Sequence, residues 1–104
     1  MAQITAAQAG RSGDADHEWR ARQIVDQIAR ERHLSGRQRD VLARTARGES
    51  TKEVAHSLGL SGNTVAYYWA QIFRKLGCHS QVEVMSLLFR RAADPANAVD
   101  ADPH

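Results

Sequence analysis

The chain has 104 residues, 42% of them hydrophobic and 25% charged, with a formal net charge of +2. That length suits one small domain with tails, and excludes a large two-domain enzyme or a regulator carrying its own sensor domain. The charge averages three regions. Residues 1–33 balance; residues 34–91 carry nine lysines and arginines against four acids; residues 92–104 carry only Asp94, Asp100 and Asp102. A basic compact segment suits a polyanionic partner, although charge alone fits an ordinary solvated surface as well. No apolar run approaches the roughly 20 residues of a membrane span, and Met1–Arg11 does not read as a secretory signal. The lone cysteine, Cys78, allows neither an internal disulfide nor a metal cluster. These features lead to the expectation of a cytoplasmic protein without a membrane partner, and Met1 with the low-complexity ends reads as a complete chain.

Residues 1–15 are rich in Ala, Gln, Gly and Ser and are expected to be a disordered tail. Over residues 16–33, Ala21, Ile24, Val25 and Ile28 recur at helical spacing, with Asp16 as N-cap and Trp19 at the edge. This amphipathic helix needs a cover for its apolar stripe, either the main domain or another chain. Residues 34–91 are punctuated by three capping boxes, Ser35-x-x-Gln38, Ser50-x-x-Glu53 and Ser80-x-x-Glu83. The first helix of this segment carries Val41, Leu42 and Thr45 and stops at Gly48. The second carries Val54, Ala55 and Leu58 and stops at Gly59. The third begins after Ser61, runs to Leu76 and stops at Gly77. The fourth carries Val82, Met85, Leu88 and Phe89 and frays near Pro95, with Arg90 and Arg91 read as a solvated end. Residues 92–104 are expected to be an acidic disordered tail.

Only Gly59, Leu60 and Ser61 join the second and third helices, the length of a helix-turn-helix connection. Ala55 is small enough for a close helix crossing, Gly59 can take a positive φ, Leu60 plugs the angle, and Val65 faces inward. At about 100° per residue, Val65, Trp69, Ile72 and Leu76 share the core side of the third helix. Asn63, Tyr67, Ala70 and Arg74 lie opposite, flanked by Ala66 and Gln71. That face can reach base edges or phosphates, with the helix in the major groove. Thr51, Lys52, Thr64, Arg74 and Lys75 are candidates for phosphate contact, and Ser61 joins the set at the start of the third helix. Cys78 reads as a small half-buried residue. His17, His33, His56, His79 and His104 have no metal spacing, and no nucleophile with a nearby base is evident, so neither metal, cofactor nor enzyme chemistry is expected.

The motifs LSGRQRDVL, GESTKEVA, LGLSGNTV and IFRKLGCHS resemble the LuxR-type (GerE-type) DNA-binding domain over about Leu34–Arg91. LSGRQRDVL and TKEVAHSLGLSGNTV also resemble sigma-factor promoter-recognition domains, but KLGCHS followed by a fourth helix favours the LuxR type. The resemblance implies an all-α, four-helix helix-turn-helix domain, here preceded by one extra amphipathic helix. It also implies a DNA-binding transcriptional regulator that dimerises through the fourth helix. Carried over, Val82, Met85, Leu88 and Phe89 become dimer candidates, and Lys52, Thr64 and the exposed third-helix residues become contacts to double-stranded DNA. The chain departs from the family pattern at Ala66 and Ala70, where lysine or arginine is usual, and at Gln38, Tyr68 and Gln81. Fewer cations on the third helix imply weaker phosphate contact and a flatter salt dependence. The competing expectation is a protein-interaction module on the same fold that binds or inhibits another regulator.

Overall fold

The computed structural model describes residues 20–94. The expected tail at 1–15, residues 95–104 of the expected tail at 92–104, the Asp16 cap, Trp19 and Pro95 lie outside the described residues. Five helices make up the described region. We number them α1, helical over described residues 20–32; α2, Gly36–Ala46; α3, Thr51–Leu58; α4, Gly62–Leu76; and α5, Gln81–Ala93. The last helix therefore runs two residues beyond the boundary expected from sequence, its final turn carrying Arg90 and Arg91, favourable to the helix dipole.

Serines start the four helices of the main domain. Ser35 and Ser50 make complete capping boxes, each accepting from the backbone N–H three residues on while Gln38 or Glu53 accepts from the serine's own N–H. The third expected box is only half made. Ser80 Oγ accepts from the Glu83 N–H, but Glu83 Oε1 accepts from the His79 N–H at 2.7 Å rather than from that of Ser80. Ser80 itself is strongly extended, at φ −155°, so the preceding amide is the donor within the glutamate's reach.

The ends follow one pattern. At each of the first four helices a residue with positive φ is followed by an N–H that reaches back five residues: Leu34 to Ala29, Glu49 to Arg44, Leu60 to Ala55 and Cys78 to Phe73. This is the Schellman closure. Leu34, Leu60 and Cys78 are half-buried against the core, supplying the apolar contact that accompanies it. Gly59 and Gly77, both at φ 68°, take the left-handed conformation at little cost, whereas α1 uses His33 at φ 57°.

The core gathers one stripe from each helix. Ile24, Val25 and Ile28 of α1 meet Val41 and Leu42 of α2, Val54 and Ala55 of α3, Val65, Trp69, Ile72 and Leu76 of α4, and Val84 and Leu88 of α5. The stripe on α1 thus finds its cover within the chain. Burying three aliphatic side chains at roughly 1.5–3 kcal/mol each is ample to dock a short helix. Polar clamps fix its register. Arg91 of α5 holds both carboxylate oxygens of Glu31 at 3.0 Å and also reaches Gln27, while Arg39 of α2 lies 3.8 Å from Asp26. Arg91 is therefore a strut between the first and last helices, not the solvated helix end expected from sequence. Its guanidinium, hydrogen-bonded to Glu31, holds that carboxyl below its ordinary range.

Candidate nucleic-acid interface

The helix-turn-helix is built by α3, the Gly59–Leu60–Ser61 connection and α4. Val54 and Val65 are fully buried, Ala55 nearly so, and Leu58 and Leu60 pack against them. With α3 and α4 locked in this way, the outer face of α4 is set by its register alone. Val65, Trp69, Ile72 and Leu76 point inward. Asn63, Ala66, Tyr67, Ala70 and Arg74 are exposed, Tyr67 at 61%. Trp69 is a core residue, its ring 5.4 Å from that of Phe73. Tyr68 leans on the core, and its ring lies 6.1 Å from that of Tyr67.

Burying so little of Tyr67 leaves a large apolar ring and a hydroxyl standing in water, which suits a surface that something else covers. The start of α4 lies beside it. Ser61 Oγ accepts from the Thr64 N–H at 3.1 Å and exchanges a hydrogen bond with Thr64 Oγ1 at 2.9 Å. The first N–H groups of any helix lack intrahelical acceptors, so those of Gly62 and Asn63 are available to water or an anion. Thr51 and Lys52 are exposed in the first turn of α3. A cation there opposes the helix dipole, so Lys52 contributes nothing to α3 through it.

The basic character of the domain narrows once its pairs are assigned. Arg37 lies 4.0 Å from Asp40, Arg44 bonds Glu49 at 3.1 Å, and Arg39 and Arg91 pair with α1. Lys52, Arg74 and Arg90 make no ion pair with any described residue. Two of these three, Lys52 and Arg74, belong to the helix-turn-helix, and α4 contains no acidic residue.

Two of the sequence candidates also hydrogen-bond within the domain. Lys75 donates to the His33 carbonyl and to Gln38 Oε1, both at 2.8 Å. Gln71 accepts from Gln38 Nε2 at 2.7 Å. Both side chains thus tie α4 to the α1–α2 corner, and Lys75 spends two of its three donors there. Gln38, read from sequence as a cap and as a departure from the family pattern, is the hub of this corner. Its partners lie 33 and 37 positions away, a separation that no local pattern encodes.

The candidates on α5 divide as well. Leu88 is buried in the core and Met85 packs against it, whereas Val82 and Phe89 are 75% and 77% exposed. Val84, absent from the expected stripe, is completely buried. Phe89, Met85 and Leu88 line a shallow apolar groove of about 400 Å³ shared with Ala21 and Ile24 of α1. Burial raises the pKa of the Cys78 thiol, which makes it a poor nucleophile. Among the described residues no group of side chains could hold a metal ion, and no helix is long and apolar enough to cross a membrane.

Residues 32–88 match the GerE family, described as bacterial regulatory proteins of the luxR family. The HTH-type transcriptional activator RamA of Corynebacterium glutamicum is 39% identical over 62 residues, covering 60% of this chain and 22% of that protein. The Fimbriae Z protein of Salmonella typhimurium is 48% identical over 52 residues, covering 50% of this chain and 25% of that one. The transcriptional regulatory protein UhpA of Escherichia coli is 39% identical over 56 residues, covering 54% and 29%. The chain therefore spans about a quarter of the length of these relatives. No solved structure gives a significant match.

Proposed function

This chain belongs to the luxR family of bacterial regulatory proteins, and on that footing we propose that it is a sequence-specific DNA-binding transcriptional regulator that inserts α4 into the major groove. Regulators of this family are not enzymes. The observation that carries the reading is the outer face of α4: Tyr67, Asn63 and Arg74 stand exposed on a helix without acids, rigidly seated on α3. Asn63, Ala66, Tyr67 and Ala70 face the bases, with the alanines offering methyl contact to thymine. Lys52, Thr51, Ser61, Thr64 and Arg74 hold phosphates, helped by the open N–H groups of α4. Gln71 stands at the edge of this surface. Lys75 serves the fold.

The regulator acts as a dimer on two half-sites about one helical turn apart, ~34 Å. Val82 and Phe89 support this assignment, because they form an apolar stripe seven residues apart on the exposed side of α5. Met85 borders that stripe, and Leu88 supports it from within.

A second reading, a module that binds another regulator with little affinity for DNA, draws on Ala66 and Ala70, which leave α4 with few cations. Genome-wide recovery of bound DNA, followed by mobility shifts at two salt concentrations, separates the two. Tyr67→Ala and Arg74→Ala should each weaken a recovered site. If no fragment is enriched and no shift forms even at low salt, the interaction module replaces the DNA-binding reading.

A further inference from the structure

Gln38 is the buried polar side chain of the described residues, 4% exposed. The neighbours of its amide identify the two ends without ambiguity. One end receives the Ser35 N–H at 2.9 Å and the Lys75 ammonium at 2.8 Å. A backbone amide and an ammonium can only donate, so this end must be the oxygen, Oε1. The other end is then Nε2, which must donate, and it faces Gln71 at 2.7 Å. The near atom of Gln71 is accordingly its carbonyl Oε1. That leaves the Gln71 NH2 group turned away from the corner. It is neither enclosed nor hydrogen-bonded to another described residue.

We infer that Gln38 sets the hydrogen-bond polarity of Gln71, so that α4 offers the major groove a donor, and not an acceptor, at this edge of its surface. The inference rests on the reading of α4 as the groove-facing helix. A donor there favours base edges that accept, those of guanine (N7, O6) and thymine (O4), over cytosine, which only donates, and adenine, whose N7 acceptor is flanked by the N6 donor. Glutamate at position 38 would reverse the polarity. One carboxylate oxygen would still accept from Ser35 and Lys75, but the other could not donate to Gln71. Gln71 would turn half a revolution about its soft terminal torsion, give its NH2 to the carboxylate, and present Oε1 to the groove. The bases favoured would then be cytosine and adenine, whose N4 and N6 amino groups donate. Gln38 touches no DNA in this arrangement and acts as a positioning residue. If it served only as a cap, glutamate would do equally well and leave base preference unchanged.

The test selects binding sites from a randomised DNA duplex pool with the full chain, comparing wild type, Gln38→Glu, Gln71→Glu, Gln71→Ala and Gln38→Glu/Gln71→Ala. Thermal melting confirms that each is folded. Wild type should prefer guanine or thymine at one position of the half-site. Gln38→Glu should move that position toward cytosine or adenine by roughly three- to tenfold, the worth of one hydrogen bond. Gln71→Glu, which accepts from Gln38 and offers only oxygen outward, should make the same change even if Gln38→Glu does not fold. Gln71→Ala should erase the preference at that position in both backgrounds. Unchanged base preference in the two glutamate variants overturns the inference while the DNA-binding reading stands. So does a shift that survives Gln71→Ala. If wild type selects no sequence at all, the DNA-binding reading fails and this inference falls with it.

Discussion

Lys75 and its neighbour Arg74 test whether charge on α4 serves the fold or the ligand. Lys75 donates to the His33 carbonyl and to Gln38 Oε1, both at 2.8 Å, whereas Arg74 is exposed and makes no ion pair with a described residue. Replacing Lys75 by Met keeps the aliphatic stem and removes both bonds. For partly exposed hydrogen bonds from a charged donor, the pair is worth about 1–2 kcal/mol. In a helical domain of this size each kcal/mol lowers the melting temperature by roughly 4–8 °C. Lys75→Met should therefore melt about 4–16 °C below wild type while the salt dependence of DNA binding stays the same. Arg74→Met should do the opposite, leaving the melting temperature within about 2 °C and flattening the slope of log K against log salt by about 0.9, one phosphate contact. Between roughly 50 and 200 mM salt, that loss shrinks the affinity ratio about 3.5-fold. Differential scanning fluorimetry and mobility shifts across a salt series read both quantities. A Lys75→Met protein with unchanged melting and a flattened slope would refute the assignment of Lys75 to the fold.

Gly59→Ala should cost about 1 kcal/mol in chemical denaturation, because φ 68° is unfavourable for alanine although its Cβ would meet nothing within 4 Å. A larger loss would indicate a clash that this geometry excludes. The Glu31–Arg91 pair gives a pH signature. The hydrogen bond from Arg91 lowers the Glu31 pKa from 4.5, so its contribution is present above that value and is lost as pH falls through the lowered one. Melting curves of wild type and Glu31→Gln should thus differ at neutral pH and converge in acid; a constant gap would count against the pair. Phe89→Asp, at a site 77% exposed, should leave melting nearly unchanged and yield monomers in sedimentation. A dimer that survives would move the interface away from α5.

Helix boundaries were legible because they are chemically local. A serine, a glutamine or glutamate three residues on, and a glycine at the far end are the capping machinery itself. The half-made box at Ser80 shows the limit: the same letters permit Glu83 to take the His79 amide. On α4 one apolar stripe against a polar remainder left a single inward face. On α5 two apolar sets coexist, Val84 with Leu88 and Val82 with Phe89, and periodicity cannot say which one the core takes. Position 91 misled for another reason. An arginine in a last helical turn suits the dipole wherever it points, and its partner Glu31 lies 60 residues earlier. The contacts of Gln71 and Lys75 with Gln38 were illegible for the same reason, since Gln38 is equally remote in sequence.

The helix closures described above also bear on how the chain folds. Each of the five-residue closures, and each serine cap, forms within a single helix and its flanks. A helical domain stitched together so locally is expected to fold in microseconds to milliseconds, without waiting for distant segments to meet. The Arg91–Glu31 strut is the opposite kind of contact, closing a span of 60 residues. It should form after the main barrier, so breaking it would speed unfolding while scarcely slowing folding. The strut then governs how long the native state persists, and the caps govern how quickly it is reached.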